Sequence, residues 1–182
     1  GSGLAIGIPA LHGLAPSARA SQLPPPRGHR AIVSGSCSAA TNAQVAHFIA
    51  AGGAAFAVDA LRIAAGHDVA AQALAWAQPR LGDAVLLVYA TADAAAVRAV
   101  QEQIGAQRAG ALVEDTLARV AAGLVAGGVG QLLVAGGETS GACVQRLGIK
   151  QLRIGPQIDP GVPWCHAAPQ RLHVALKSGN FG

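Results

Sequence analysis

The sequence of 182 residues has no methionine, a single tyrosine and few charges of either sign. Aromatic residues make up 3% of the chain and charged residues 12%, against 52% hydrophobic residues. A chain this apolar is not expected to be disordered. Nucleic-acid binding needs clustered cations interleaved with aromatic residues. The two lysines and scattered arginines therefore argue against a nucleic-acid partner, despite a net charge of +4.

Cysteine is also scarce, with three residues and no CxxC pair. The histidines and cysteines lack zinc-finger or HExxH spacing, so no metal site is predicted. Reduced thiols and the lack of a secretory signal favour a cytoplasmic protein. The uncharged stretch 120–137 is interrupted by Gly123, Gly127, Gly128 and Gly130. We therefore expect a helix end, a turn and a strand there, and no membrane span.

What the sequence does contain is an alternation of short aliphatic strands, glycine-rich turns and helices. Residues 1–30, with three consecutive prolines, are predicted to be an inter-domain connector, and residues 31–182 to be one domain. The alternation predicts an α/β fold with a mostly parallel sheet flanked by helices. The predicted strands are 31–33, 54–58, 84–89, 131–135, 151–154 and 172–177, and the segment 159–164 is predicted to be a turn between the last two. The predicted helices are 41–51, with Thr41 as its cap, 67–76, 93–105, 109–126 and 143–147.

Three small, polar loops follow predicted strands, at 34–38, 136–141 and 177–182. In open α/β sheets such loops gather ligands at the carboxyl ends of the strands. We expect hydroxyls and unpaired N–H groups of the first loop to suit a phosphate. Glycines of the second let the backbone approach a ligand, and Thr139 or Ser140 can cap the next helix or contact a ligand oxygen. The third places Lys177 beside a glycine turn.

Each loop taken alone is more often an ordinary turn than a binding site. Glu138 would repel a bare phosphate, so ribose hydroxyls, a backbone amide or magnesium suit it better. Neither GxGxxG nor GxxxxGK[ST] occurs, so no dinucleotide fold or P-loop is indicated. Composition and spacing therefore lead to a phosphate- or nucleotide-binding domain of unknown reaction.

The same loops resemble the C-terminal nucleotide-binding domain of the four-carbon acid sugar kinases. The matching segments occur in the family's order over about 150 residues, a typical domain size. The closing Lys-Ser-Gly-Asn-Phe-Gly is more similar to 3-oxo-tetronate kinases than to threonate or erythronate kinases. The matching segments are 33–38, 135–141, 152–164 and 175–182.

The resemblance implies ATP-dependent phosphorylation of a four-carbon acid sugar at its terminal hydroxyl, with magnesium bound to the nucleotide. It implies no catalytic base in this chain, because the family's acceptor site belongs to an N-terminal domain that this chain lacks. Residues 1–5 resemble the segment that closes that domain. The implied ATP contacts are Ser34, Gly136, Gly137, Glu138, Thr139 and Gly179, with Ser36 and Lys177 as neighbours.

Two other functions stay open at this point. A non-catalytic nucleotide-binding or regulatory module would also need no acceptor domain. A sugar-phosphate-binding enzyme of another reaction class would bind sugar phosphates and not adenine nucleotides. A homo-oligomer is compatible with all three hypotheses.

Overall fold

Short aliphatic segments between glycine-containing turns form the strands of one sheet. The structure is a computed structural model that describes residues 8, 11–15, 22–82 and 84–180. Its strands are β1 (His29–Ser34), β2 (Ala54–Ala57), β3 (Leu86–Tyr89), β4 (Val129–Ala135), β5 (Arg153–Asp159), β6 (Val162–Ala167) and β7 (Leu172–Lys177). The strand order is β2-β3-β1-β4-β7-β6-β5.

Six α-helices and one 3-10 helix (Gln78–Arg80) connect these strands in the described part of the chain. Several begin at an aspartate or serine whose side chain accepts a backbone N–H of the first turn, as Ser38, Asp59, Asp68 and Asp93 do. The helices are α1 (Ala39–Ala50), α2 (Ala60–Ala64), α3 (Val69–Ala77), α4 (Ala94–Ile104), α5 (Ala106–Ala126) and α6 (Gly137–Arg146). None of these described helices is long and apolar enough to cross a membrane.

The sheet is parallel over five of its seven strands. β2, β3, β1, β4 and β7 pair in parallel, and β6 and β5 continue the sheet as antiparallel strands. Helices join the parallel strands, as parallel pairing requires. The predicted α/β fold with a mostly parallel sheet is confirmed.

Alternation along the strands gives the sheet two different faces. Ala31 and Val33 point to the face that carries the main core, where Leu117 of α5 is fully buried. Ile32 and Leu133 point to the opposite face, where they and Phe48 of α1 line a common cavity. The helix after β1 therefore lies on one face, and α5, which leads into β4, lies on the other.

This division of the helices opens a crevice at the carboxyl end of the sheet. Loops that leave neighbouring strands toward opposite faces separate there, and ligands of open α/β sheets bind in that position. β1 lies between β3 and β4, at the centre of the parallel strands. The loop after β1 is thus expected to border the crevice.

The segment 159–164 was expected to be a turn between the last two strands, and this prediction was wrong. The chain forms a β5–β6 hairpin there, and Trp164 pairs with Ala175 of β7. Gly161, with φ of +83°, makes the turn. Prolines in this part of the chain made the two strands hard to recognise from the sequence. The β5–β6 register shifts between Ile154 and Gln157, and a proline at such an irregularity interrupts the pairing at little cost.

Several predicted element bounds also need correction. Ser38, and not Thr41, caps α1. The final helix was expected from residue 143, but α6 already begins at Gly137. Its first turn was mistaken for loop because glycine and hydroxyl residues are poor helix formers. The short helix α2 was missed, and β1 includes His29 and Arg30, the last two residues of the predicted connector.

The paired rings of His166 and His173 give the fold a testable pH dependence. Their centroids lie 4.8 Å apart, and His173 is only 6% exposed. Burial, followed by the charges of His173 and Arg153, lowers the pKa of His166. The folded state therefore binds a proton less readily than the unfolded chain, whose histidines titrate near pH 6.5.

We predict that the free energy of unfolding decreases as the pH falls below about 6.5, down to the lowered pKa of His166. His166→Gln should reduce this dependence, measured by denaturant titration between pH 5 and pH 8. His67→Gln, at an exposed position, is the control and should keep the parent's profile. An unchanged profile in the His166 variant would contradict the assignment.

Candidate functional site

The three loops singled out from the sequence leave three adjacent strands. Ser34, Ala135 and Lys177 are register partners across β1, β4 and β7. The N–H groups of Gly35 and Ser36 donate to the Ala135 carbonyl, at 2.9 and 3.2 Å. These two groups were expected to be unpaired, so that part of the prediction was wrong. The loops are thus joined by backbone hydrogen bonds into one surface.

Glycine allows the first two loops to pack against each other. A Cβ on Gly35 would lie 2.2 Å from Thr139 Oγ1, and one on Gly136 would lie 3.1 Å from the Ser36 nitrogen. Gly136 also has φ of +122°, which side chains disfavour. Both glycines therefore shape the protein itself, whatever approaches them from outside.

The N-terminus of α6 opens toward solvent between these loops. Gly136 is its N-cap, and no side chain among the described residues caps it. Thr139 and Ser140 were predicted as caps, but they lie inside the helix and are buried. Gly137 is exposed, with nothing within 4 Å of an added Cβ. An uncapped helix start with backbone open to solvent attracts anions.

The third loop is fixed by a set of hydroxyls around one carbonyl oxygen. The Gly179 carbonyl accepts hydrogen bonds from the hydroxyls of Ser38 and of Thr41, the latter at 3.0 Å. Lys177 Nζ lies 2.8 Å from Thr41 Oγ1 and 3.4 Å from the same carbonyl. Thr41 therefore links α1 to the end of β7 and orients the lysine.

Lys177 is a buried cation. It is 5% exposed, and burial lowers its pKa. The ion pairs of the described residues, Arg119–Asp68 and Arg146–Asp115, do not involve it. Its neutral oxygen partners compensate the charge only in part. A bound anion at this position would complete the compensation.

The serines of the first loop already have partners. Ser34 is 1% exposed, and its Oγ lies 2.6 Å from Thr91 Oγ1. Ser36 Oγ lies 3.3 Å from Ser38 Oγ. Each hydroxyl retains capacity for a further bond, but both are embedded in the loop packing.

Two cavities flank the joined loops. One of about 250 Å³, here called the α1 cavity, lies against α1 and includes Ser34, Lys177 and Asp159 in its lining. The other, here called the groove, measures about 600 Å³ and lies along α4 and α5, reaching Gly35, Glu138 and Thr139. The volume of the groove lies within the range of volumes of small-molecule binding sites.

Two carboxylates in the lining of the groove, those of Glu114 and Glu138, are close enough for the charge of Glu138 to affect Glu114. Burial and the nearby charge of Glu138 raise the pKa of Glu114. Glu138 is exposed on the first turn of α6, where the helix dipole favours a negative charge. No group of three or more metal-ligating side chains occurs among the described residues.

The structure brings all eight residues singled out from the sequence to the ends of β1, β4 and β7. Sequence reasoning missed Ser38, Thr41, Thr91 and Glu114. The position of Ser38 and Thr41 three residues apart at a helix start was a usable signal, since that spacing is typical of a cap. No signal in the sequence pointed to Thr91 or Glu114, because their contacts connect distant parts of the chain.

Comparison with known proteins identifies a related family. The family model described as "nucleotide-binding C-terminal domain" matches residues 31–182. A Pseudomonas fluorescens protein named 3-oxo-tetronate kinase is 48% identical over 186 residues, which covers 100% of this chain and 43% of the relative. A Burkholderia multivorans protein of the same name is 50% identical over 187 residues, with the same coverage. The chain thus spans less than half the length of these relatives.

Solved structures agree with this result. A Haemophilus influenzae protein is 37% identical, with a TM-score of 0.84, and the match covers 95% of this chain and 42% of that protein. A Bordetella bronchiseptica protein, crystallised as a domain-swapped dimer with citrate, is 21% identical with a TM-score of 0.64 and covers 87% of this chain and 39% of that protein. The similarity to the Bordetella bronchiseptica protein supports the fold alone.

Removing the Thr41 hydroxyl should destabilise the protein. In Thr41→Val the Lys177 ammonium loses its nearest acceptor while it stays buried, which costs about 1–3 kcal/mol. Thr41→Ser retains a hydroxyl and should recover most of this loss. Denaturant titration of both variants measures the difference. Equal stability of the valine variant and the parent would show that the link is unimportant.

Proposed function

The chain belongs to the family of nucleotide-binding C-terminal domains, and we propose that it forms the ATP-binding half of a kinase that phosphorylates 3-oxo-tetronate to its 4-phosphate. The names of the relatives support this reaction, because they are similar over the whole of this chain. The acceptor sugar acid binds in the part of the longer protein that the relatives have beyond this region. ATP and ADP are the partners of the present domain.

The observation that carries the proposal is the buried cation beside an open helix N-terminus. Lys177 and the first turn of α6 follow adjacent strands, and the Gly136 N–H donates to the Lys177 carbonyl at 2.8 Å. Phosphoryl transfer asks a protein mainly to position phosphates and to offset their charge. The ammonium and the α6 N–H groups serve both needs for the ATP phosphates.

The remaining loop residues position the nucleotide. The exposed backbone of Gly137 lets a phosphate approach α6. Gly179 packs against Ser36 and Ser38 of the first loop, and its carbonyl lies 3.4 Å from Lys177 Nζ. Ser34, Ser36 and Thr139 give the surface its shape, and the Ser34 hydroxyl has capacity for one ligand contact. Glu138, a carboxylate on the first turn of α6, would repel a bare phosphate, so it contacts either a ribose hydroxyl or the magnesium ion that accompanies the phosphates.

Magnesium accompanies the nucleotide in this proposal. Mg²⁺ usually keeps several waters and binds through one or two carboxylates together with substrate phosphates. Glu138, exposed at the start of α6, is an oxygen ligand of this kind. The ion supplies charge neutralisation to the phosphates. Cytoplasmic location and a homo-oligomeric state stay predictions.

Blocking the approach to α6 should abolish nucleotide binding without disturbing the fold. A Cβ at Gly137 or at Gly141 meets nothing within 4 Å, so both Gly137→Val and Gly141→Val are sterically tolerated. Only Gly137 lies at the helix start. We predict at least tenfold weaker MgADP binding in Gly137→Val by calorimetry, about 1.4 kcal/mol. Gly141→Val should bind as the parent does; equal affinity in both variants would exclude phosphate approach at α6.

Gly136→Val is less suitable than Gly137→Val as a test of phosphate binding at α6. Gly136 has positive φ and close neighbours, so a branched side chain there would disturb the protein as well as the ligand.

Lys177 should make nucleotide binding depend on pH. Its pKa is lowered by burial, and a phosphate favours the charged form. As the pH rises through the lowered pKa, the ammonium is lost, so MgADP affinity should fall and binding should take up protons. Lys177→Met should bind about ten- to a hundredfold more weakly and lose this dependence. Exposed Lys150→Met is the control; a pH-independent parent would contradict the role of Lys177.

The reaction itself is tested on the longer protein that contains this chain. With MgATP and 3-oxo-tetronate, we expect ADP and a sugar acid 4-phosphate, with threonate and erythronate turned over less efficiently. A protein that binds MgATP but phosphorylates no four-carbon acid would refute the reaction and leave nucleotide binding intact.

A further inference from the structure

The β5–β6 hairpin lies outside the three joined loops but ends at the same edge of the sheet. β6 is antiparallel to β7, and β5 is antiparallel to β6, so β5 runs in the same direction as β7. Asp159, the last residue of β5, therefore lies at the same edge as Lys177, the last residue of β7. Both side chains line the α1 cavity, together with Ser34 of the first loop.

The turn of the hairpin is fixed by its own two central residues. Asp159 pairs with Val162, so Pro160 and Gly161 form the turn between them. Proline holds its φ at about −65°, which suits the first central residue of a type II turn. Gly161, with φ of +83°, provides the positive φ that the second central residue needs. The turn thus holds Asp159 at the cavity without any contact from its carboxylate.

The Asp159 carboxylate has no partner within the described part of the protein. It is half-buried, and it makes no hydrogen bond or ion pair with a described residue. In the described lining of the α1 cavity it is the only carboxylate, and Lys177 is the only cation. The other lining side chains are mostly apolar. An unpaired carboxylate and a buried ammonium therefore border one cavity of about 250 Å³ without touching each other.

These two charges indicate what the space between them can accept. A bare phosphate suits Lys177 but is repelled by Asp159. A phosphate that carries a magnesium ion suits both, because its oxygens are negative and its metal ion is positive. Mg²⁺ binds to proteins through one or two carboxylates together with substrate phosphates, and it keeps several waters. The donor set at this edge of the sheet therefore fits a metal–phosphate unit.

We propose that Asp159 is a ligand, directly or through a water molecule, of the magnesium ion that accompanies the nucleotide phosphates. The inference rests on the proposed function, which assigns the phosphates to the joined loops. The hairpin provides the carboxylate on one side of the α1 cavity, and Lys177 provides the ammonium on the other. Glu138 lines the groove and not the α1 cavity, so the two carboxylates approach the loops from different sides and can be tested separately.

Asp159→Asn should change ADP affinity in a way that depends on magnesium. Asparagine suits the residue before such a turn, so the hairpin is retained. With Mg²⁺ we expect at least tenfold weaker ADP binding, because a metal ligand is lost. Without Mg²⁺, in EDTA, we expect equal or tighter binding, because a carboxylate no longer repels the phosphates. Calorimetry on the longer protein that contains this chain measures both affinities.

The control for this experiment is Glu102→Gln. Glu102 is exposed on α4 and lines neither cavity, so this variant should bind as the parent does under both conditions. Unchanged MgADP affinity in Asp159→Asn, or an equal loss with and without Mg²⁺, would overturn the inference and leave the proposed function intact. A parent protein that binds neither MgADP nor ADP would refute the proposed function as well.

A change of metal preference provides the second test. Thiolates favour soft cations such as Cd²⁺ over Mg²⁺. We expect Asp159→Cys to bind ADP at least tenfold more tightly with Cd²⁺ than with Mg²⁺, and Asp159→Asn to show no such preference. Both variants carry Cys37→Ser, since that exposed thiol of the first loop would also bind Cd²⁺. The same metal preference in the cysteine and asparagine variants would overturn the inference.

Discussion

The Lys177 ammonium, buried between α1 and the end of β7, is the constraint on which the site depends. A cation that is 5% exposed needs oxygen partners, and Thr41 Oγ1 and the Gly179 carbonyl provide them at 2.8 and 3.4 Å. Both partners are neutral. The arrangement therefore still favours a negative charge. This unbalanced charge connects the fold to nucleotide binding.

The sheet makes this arrangement possible. β1, β4 and β7 are adjacent and parallel, so their carboxyl ends meet at one edge, and their loops are joined by backbone hydrogen bonds. α1 lies on one face and α5 on the other, which leaves a cavity on each side of that edge. The α1 cavity has Lys177 and Asp159 in its lining, and the groove has Glu114 and Glu138.

The sequence predicted the fold class and the strands at the site, because aliphatic runs between glycines are local signals. It also located the loops at 34–38 and 136–141. It failed where the determining contact was distant in the chain. The pairing of Trp164 with Ala175 turns a proline-rich segment into a strand, and the Ser34–Thr91 contact spans 57 residues. Gly136 was predicted only as a ligand contact. Its positive φ and its packing against the Ser36 nitrogen already require glycine at this position.

Thermal unfolding of the chain with MgADP shows whether the joined loops bind a nucleotide. At 100 times its dissociation constant, a ligand that binds only the folded state stabilises it by about 2.7 kcal/mol. We expect a saturable increase in melting temperature with MgADP and MgATP, and none with 3-oxo-tetronate alone. A melting temperature that MgADP leaves unchanged up to millimolar concentration, in a chain that is folded, would contradict nucleotide binding by the joined loops.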